Sequence, residues 1–182
     1  MSDRDDLLAI VSERAVLRLD APVELSSGGM SDVFVDVKLA MAAGPHLALA
    51  CRVIAAQLAA AGISYDAVGG MTLGADQFSY GMAIVTGCGW YVVRKKPKGR
   101  GTDRRIEGTQ PGPGTTVVVV EDAVSTGGSL LEALDVVVAT GADVAATVTL
   151  VDRGRSLAPV LEQRGIAYHP VFSYTDLGID PL

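Results

Sequence analysis

Two adjacent carboxylates, Glu121 and Asp122, follow four valines and precede a turn of small and hydroxylated residues from Ser125 to Ser129. Glycines in such a turn let backbone N–H groups converge, and the start of a helix adds partial positive charge, so the turn can hold a phosphate. Carboxylates can accept hydrogen bonds from vicinal sugar hydroxyls. The spacing therefore predicts a site for a phosphorylated ribose. In the alternative interpretation, Glu121 is an exposed strand end and Asp122 is an acid at a helix N-terminus.

The turn matches neither of the two common phosphate-binding patterns. No lysine follows its glycines at the spacing of G-x-x-x-x-G-K-[ST], and G-x-G-x-x-G does not occur there. The hydroxyls of Ser125, Thr126 and Ser129 could donate further hydrogen bonds to an anion. The candidate site is therefore not an ordinary nucleoside triphosphate or dinucleotide site.

A second group of charged residues lies in segment 94–114, "RKKPKGRGTDRRIEGTQPGPG". Connections in α/β proteins usually have about 2 to 6 residues, and loops longer than about 12 to 15 tend to be functional lids or disordered. This segment lies between two predicted strands whose carboxyl ends should face one site, so we interpret it as a flexible basic flap. A solvated surface loop is the alternative. The flap holds seven of the fifteen lysines and arginines of the chain: Arg94, Lys95, Lys96, Lys98, Arg100, Arg104 and Arg105.

The elements that must position these residues alternate between strands and helices. Helical spacing is found in 46–62 and 127–141, whereas 115–121 is a β-branched run typical of a strand buried on both faces. This alternation predicts a doubly wound α/β fold with a mostly parallel sheet flanked by helices. We expect one domain over residues 1–182, with an N-terminal helix and further segment in 1–45 and the α/β core in 46–182, and the strands predicted to end at Glu121 and Asp122.

Composition narrows the class of protein. The formal net charge is −6, and the only concentrated basic stretch is short, which argues against nucleic acid as a partner. No stretch approaches the roughly 20 apolar residues needed to cross a bilayer. Cys51 and Cys88 have the spacing of neither a metal site nor a disulfide framework. We therefore expect a cytoplasmic protein that does not bind membranes.

Several stretches resemble a known family. "VVVVEDAVSTGGS" (117–129) resembles the phosphoribosyl-pyrophosphate (PRPP) motif of type I phosphoribosyltransferases. "LSSGGMSDVFVDVK" (25–38), "GGMTLGAD" (69–76), "VVRKKPKGRGTDRRIEG" (92–108) and "VDR" (151–153) resemble segments of the orotate phosphoribosyltransferases. The resemblance implies the type I phosphoribosyltransferase fold, in which a small N-terminal hood covers the core.

The resemblance also implies roles for individual residues. The catalytic residues would be Lys98, Arg100 and Asp122. Orotate would contact Ser125, Arg153, Phe34 and Lys38. PRPP would be bound by Thr72, Leu73, Gly74, Ala75, Arg94, Lys95, Lys98, Arg100, Glu121, Asp122, Ala123, Val124, Ser125, Thr126, Gly127, Gly128 and Ser129.

By the same resemblance, the chain would transfer the 5-phosphoribosyl group from PRPP to orotate in pyrimidine biosynthesis, giving orotidine 5'-monophosphate and pyrophosphate. Mg²⁺ would be held mainly by PRPP and water, with no protein side chain as its ligand. A homodimer is implied, with the flap of one subunit reaching the site of its neighbour. Arg100 stands where the family's flap usually has histidine, and Gly29 where a basic residue is frequent. A transferase for another base and a non-catalytic PRPP-sensing regulator therefore stay as alternatives.

Overall fold

A computed structural model describes residues 2–24, 29–97 and 104–182. Its helices are α1 (Asp3–Arg14), α2 (Val37–Ala40), α3 (Gly44–Ala60), α4 (Asp76–Thr86), α5 (Gly128–Val138) and α6 (Leu157–Gln163). Its strands are β1 (Val16–Glu24), β2 (Met30–Val35), β3 (Ala67–Met71), β4 (Gly89–Val93), β5 (Ile106–Gly108), β6 (Thr116–Val124), β7 (Asp143–Asp152) and β8 (Tyr168–Ser173). From β3 onward most strands are joined through helices, which confirms the predicted α/β class.

The main sheet has six strands in the order β5-β4-β3-β6-β7-β8. All neighbouring pairs are parallel except β4 and β5, which are antiparallel. The central strand β6 buries Val118 and Val120 in the cluster on one face, and Val117 and Val119 in the cluster on the other. The valine run thus forms a strand covered on both faces, as its lack of alternation predicts.

Helices cover the two faces of this sheet. Residues of α1, α3 and α4 belong to the first core cluster, and residues of α5 and α6 belong to the second. On α5, Leu130, Leu134 and Val137 are buried, whereas Val138 is 51% exposed. The helical period therefore places the apolar face correctly, except that Val138 lies at its solvent edge.

The N-terminal region forms a small hood beside the carboxyl edge of the sheet. Strands β1 and β2 pair as an antiparallel two-stranded sheet, with a register irregularity between Arg18 and Val23. Helix α1 begins with a capping box in which Ser2 accepts from the backbone of Asp5, and it buries Leu7 and Val11. A connected N-terminal unit thus packs on the core through α1.

Two predicted boundaries differ from the structure. Strand β6 does not end at the two acids but continues to Val124, because Ala123 and Val124 still pair with β7. The predicted loop 94–114 contains the strand β5, whose Ile106 is buried at the sheet edge. A strand of three residues is too short to give a periodic sequence signal.

Across residues 2–24, 29–97 and 104–182, no helix is long and apolar enough to cross a membrane.

Candidate functional site

The predicted site residues meet at one edge of the sheet. Because β3, β6 and β7 are parallel neighbours, their carboxyl ends and the following loops lie side by side. These loops are 72–75 after β3, 125–129 after β6 and 153–155 after β7. The backbone N–H of Arg153 donates to the carbonyl of Val124 over 2.8 Å, which joins the last two loops directly.

Glu121 and Asp122 are buried where β6 approaches its end, with only 5% and 8% of their surfaces exposed. Asp122 accepts a hydrogen bond from the backbone N–H of Ala123 (2.7 Å) and forms an ion pair with Lys38 Nζ (2.9 Å). Gly74 presses so closely on this pair that a methyl group there would overlap carboxylate oxygens of both acids. The interpretation of Glu121 as an exposed strand end is therefore wrong.

Burial and neighbouring charges shift the pKa values of Glu121 and Lys38. Burial first, and then the charge of Asp122, raise the pKa of Glu121 well above its ordinary value. Burial alone would lower the pKa of Lys38, but its hydrogen bond to Asp122 and the charge of Asp122 outweigh this, so the net shift is upward. The buried carboxyl group of Glu121 therefore favours a bound proton, a cation or a hydrogen-bond donor.

The turn after β6 forms a small cavity of about 170 Å³ at the start of α5. Gly127 has φ +84°, a left-handed conformation that glycine adopts without strain, and its carbonyl accepts from Leu131 in the first turn of the helix. The N-terminus of an 11-residue helix therefore opens into the cavity. The lining residues are Glu121, Ala123, Val124, Ser125, Thr126, Gly127, Gly128, Ser129 and Leu130.

A second cavity of about 330 Å³ adjoins the first and shares Glu121, Ala123 and Ser129 with it. Acidic and basic side chains meet there, because Lys38, which is paired with Asp122, and Lys95 line the cavity together with the two buried carboxylates. The other lining residues are Met71, Thr72, Leu73, Gly74 and Asp122. Residues 72–74 of the loop after β3 thus lie beside the acid pair, and the two cavities together form an extended groove lined by charges of both signs.

Arg153 lies on the other side of the turn, with only 3% of its surface exposed. One of its terminal nitrogens lies 3.5 Å from Ser31 Oγ of the hood, and its Nε has no hydrogen-bond partner among the residues that the structure describes. Burial lowers the pKa of this guanidinium. A buried donor without a partner is available for a planar anionic group.

A cavity of about 410 Å³ lies beside Arg153. Its walls come from the hood, including Arg18 and Ser31, and from the tail segment 178–182. Neither Arg18 nor this tail has a role predicted from the sequence. The available signal is weak: the apolar residue Ile179 in this short segment packs against the core.

Other predicted site residues have different placements. Phe34 is 41% exposed on β2 and does not line the cavity beside Arg153. Arg94 forms an ion pair with Glu107 of β5 over 3.4 Å, at the base of the flap. Lys98 and Arg100 lie outside the described residues.

Comparisons with known proteins agree with this architecture. The family model of the phosphoribosyl transferase domain matches residues 39–165. Orotate phosphoribosyltransferase of Corynebacterium glutamicum (strain R) is 38% identical over 181 residues, covering 97% of this chain and 95% of the relative. The enzyme of Thermococcus gammatolerans is 37% identical over 153 residues, covering 84% of this chain and 80% of the relative.

A solved structure gives the same result. The crystal structure of Mycobacterium tuberculosis H37Rv orotate phosphoribosyltransferase in complex with PRPP superimposes with a TM-score of 0.80 at 34% identity, covering 98% of this chain and 100% of that one. The sheet order, the groove at its carboxyl edge and these similarities lead to one assignment. The chain belongs to the phosphoribosyltransferase family, among the orotate phosphoribosyltransferases.

Proposed function

We propose that this chain transfers the 5-phosphoribosyl group of PRPP to orotate, releasing pyrophosphate and forming orotidine 5'-monophosphate. One observation carries the proposal: the backbone hydrogen bond from Arg153 to Val124 joins the loop that bears a buried guanidinium to the end of β6, which bears the two acids. A phosphate-binding turn, two sugar-binding acids and a carboxylate-binding arginine are thus contiguous. The named relatives act as orotate phosphoribosyltransferases, which supports the same reaction.

The groove offers groups for each part of PRPP. The turn 125–129 would hold the 5'-phosphate through its backbone N–H groups and hydroxyls, aided by the N-terminus of α5. Glu121 and Asp122 would accept hydrogen bonds from the ribose hydroxyls, with Ala123 and Val124 as the adjoining wall. The loop 72–75 and Lys95, which line the second cavity, would contact the pyrophosphate.

Arg153 would bind the carboxylate of orotate, because its planar guanidinium can donate two parallel hydrogen bonds. Ser125 borders the same turn and would contact the base from the phosphate side. Lys38, now paired with Asp122, would lie near both substrates. Phe34 remains a proposed base contact, and from its exposed position it would have to approach when the substrate binds.

In the reaction, N1 of orotate attacks the anomeric carbon, and the bond from that carbon to the pyrophosphate oxygen breaks. The electron pair of that bond leaves with pyrophosphate, while positive charge builds on the ribose ring. The carboxylates of Glu121 and Asp122 favour the developing positive charge, and nearby cations favour the leaving group. Orotate is already anionic with an acidic ring nitrogen, so this chain need not supply an obligatory general base.

The chemistry of the groove fits Mg²⁺. Carboxylate and phosphate oxygens are the ligands that Mg²⁺ prefers, and it usually keeps several waters. Mg²⁺ would be held mainly by PRPP and water, and the carboxylates of Glu121 and Asp122, which line the cavity, would accept hydrogen bonds from its waters. When bound, it would withdraw charge from the leaving pyrophosphate.

The flap would add further cations. Arg94 and Lys95 stand at its base, and we propose that Lys98 and Arg100 contact the pyrophosphate when the flap closes over the groove. Closure would also exclude water that could hydrolyse PRPP.

We also propose that the chain is a homodimer, with each flap reaching the partner's site. In support, α4 and β4 present an apolar surface formed by Tyr80, Ile84 and Trp90, of which Ile84 is 85% exposed. Tyr80 and Trp90 pack edge to face with ring centroids 4.9 Å apart. Contiguous exposed apolar residues of this kind often mark an interface between proteins.

The cytoplasmic location stays a prediction.

The test follows the ultraviolet absorbance of orotate after PRPP and Mg²⁺ are added to the purified protein. Uracil, hypoxanthine and adenine are run in parallel. PRPP-dependent loss of the orotate signal is the expected result. Pyrophosphate release with another base instead would overturn the base assignment, and tight PRPP binding without turnover would identify a regulator.

A further inference from the structure

A chain of hydrogen bonds lies beneath the loop that carries Arg153. The hydroxyl of Tyr168, the first residue of β8, donates to Asp152 Oδ2 over 2.9 Å. Thr149 Oγ1 lies 2.9 Å from the same hydroxyl. Because the single tyrosine proton is directed to Asp152, Thr149 must be the donor in that contact. The second carboxylate oxygen, Asp152 Oδ1, accepts from the backbone N–H of Gly154 over 2.8 Å.

This chain of hydrogen bonds ends at Gly154, where the loop after β7 touches the turn after β6. Gly154 lies so close to the phosphate turn that a methyl group there would overlap the carbonyl oxygen of Ser125. One residue earlier, the N–H of Arg153 donates to Val124. The position of Gly154 therefore sets the distance between the Arg153 loop and the turn 125–129.

The side chain of Arg153 has little to hold it by itself. Within the described parts of the chain, its hydrogen bonding is confined to the long 3.5 Å contact with Ser31, and its Nε has no partner. Its orientation must come mainly from the backbone to which it is attached. That backbone is held by the N–H of Arg153, which donates to Val124, and by its carbonyl, which accepts from the N–H of Leu182 over 2.8 Å. The adjoining Gly154 is held by Asp152, which is 9% exposed and accepts hydrogen bonds at both oxygens.

The tyrosine is suited to a permanent donor role. Burial raises the pKa of the Tyr168 hydroxyl, so the proton stays on it throughout the pH range of enzyme assays. Its partner Thr149 is fully buried in β7. The Tyr168 hydroxyl therefore remains a hydrogen-bond donor in this network at the pH of enzyme assays.

We propose that Tyr168 is a positioning residue that acts through Asp152 and Gly154 to hold Arg153 in register with the phosphate turn. This inference rests on the proposed function, in which Arg153 binds the orotate carboxylate. If the guanidinium and the turn keep a fixed separation, N1 of orotate is aligned with the anomeric carbon of the bound ribose. Displacements of about 1 Å at such a point can cost about 10²-fold in rate.

The first test compares Tyr168→Phe with Tyr91→Phe. Tyr91 is the matched control, because its buried hydroxyl also donates one hydrogen bond, to the carbonyl of Val118 over 3.0 Å, but lies in the core between β4 and β6. We expect Tyr168→Phe to raise KM for orotate by about tenfold, the effect of one hydrogen bond to a charged group. KM for PRPP should change by less than about twofold in both variants. Equal effects of the two variants on KM for orotate would overturn the inference.

A second pair of variants tests the role of Asp152. In Asp152→Asn, the amide oxygen can still accept from Gly154, and the amide nitrogen can donate to the Tyr168 hydroxyl. Asp152→Ala removes both contacts. We expect Asn to retain about tenfold more orotate affinity than Ala. If Asp152→Asn and Asp152→Ala weaken orotate binding equally, the proposal that this hydrogen-bond network positions Arg153 is wrong.

Hydrogen exchange gives a readout that does not depend on orotate. The amide of Gly154 should exchange faster in Tyr168→Phe than in the wild type or in Tyr91→Phe, because its acceptor is no longer fixed. If the wild type fails to use orotate, the proposed function fails, and this exchange rate still decides the inference. Unchanged protection of Gly154 in Tyr168→Phe would overturn it.

Discussion

At the carboxyl end of β6, one continuous stretch, 121–129, supplies both acids and the turn into α5, and the phosphate binding proposed for it would come largely from backbone N–H groups. At the carboxyl end of the neighbouring strand β7, the proposed binding of orotate would depend on the side chain of Arg153. The cavity beside it is completed by the hood and by segment 178–182, which are far apart in the chain. The phosphoribosyl side is thus built locally, whereas the base side is assembled by the tertiary structure.

This difference has a chemical reason. A phosphate can be held by any backbone that directs several N–H groups to one point, so glycines and a helix start are sufficient. A planar base with a carboxylate needs a particular side chain in a particular orientation. We therefore expect substitutions on the two sides to separate cleanly into effects on PRPP and effects on orotate.

The largest expected effect is on the base side. Arg153→Ala should lower kcat/KM for orotate by about 10²-fold or more, because the carboxylate of bound orotate would lose its charge-assisted hydrogen bonds. Calorimetric affinity for PRPP should stay within about twofold. Arg155→Ala is the matched control, since Arg155 lies in the same loop but contacts the half-buried ring of Tyr174. Loss of PRPP binding in Arg153→Ala would break the separation.

A smaller effect is expected on the phosphate side from Gly127→Ala. A methyl group at φ +84° would be strained and would come within 2.6 Å of Leu157 Cδ1, so the turn must shift. We expect calorimetry to show PRPP affinity about tenfold lower, the equivalent of roughly one lost hydrogen bond.

Gly141→Ala is the control for this variant. Gly141 has nearly the same φ, +83°, but lies beyond the other end of α5. It should lose about 1–2 kcal/mol of stability to the same backbone strain and keep its PRPP affinity. Equal loss of affinity in both variants would mean that the turn is sensitive only to general destabilisation.

The flap base should give a more modest change. Arg105 donates to the carbonyls of Arg94 (2.9 Å) and Lys95 (3.2 Å) and also pairs with Glu132 of α5. Arg105→Ala should lower kcat by about three- to tenfold, because the flap would close from a less fixed base. Arg164→Ala removes a comparable exposed pair with Asp135 of the same helix and should leave kcat unchanged. Equal kcat values in the two variants would argue against a role for Arg105.

The smallest effect is on stability and depends on pH. Because the pKa of Glu121 is raised above its usual 4.5, the folded state holds the proton more tightly, so its contribution to stability is complete below about 4.5 and is lost as pH rises through the raised value. Glu121→Gln should therefore increase Tm at pH 8, by about 2–4 °C per 1 kcal/mol relieved, and by less at pH 5. Glu162→Gln, on the exposed side of α6, should show no such pH trend. A lower Tm of Glu121→Gln at pH 8 would contradict the expected sign.

The sequence allowed the local side of the site to be predicted, because the acids and the turn are adjacent in the chain. The fold class also followed from the valine run and the helical periods. The end of β6 was predicted two residues too early. Ala123 and Val124 belong to the strand because they pair with β7, and their own residue types do not indicate it. Strand β5 exists only through its pairing with β4.

The base side was harder to predict for the same reason. Arg153 was assigned through a resemblance and not through its spacing. Nothing in the spacing of Arg18, Tyr168 or the tail 178–182 indicates that they come together around it. Such contacts between distant segments depend on how the hood and the last strand pack, which a single sequence does not show.

The edge-to-face pair of Tyr80 and Trp90 has a practical use. The chain contains one tryptophan, so its fluorescence reports on this surface alone. Trp90 is 37% exposed, and an assembly that covered it would transfer the indole from water to an apolar environment. Emission would then move to shorter wavelength as the protein concentration rises. If the protein associates through this surface as proposed, Trp90 would report that association without a label and without turnover.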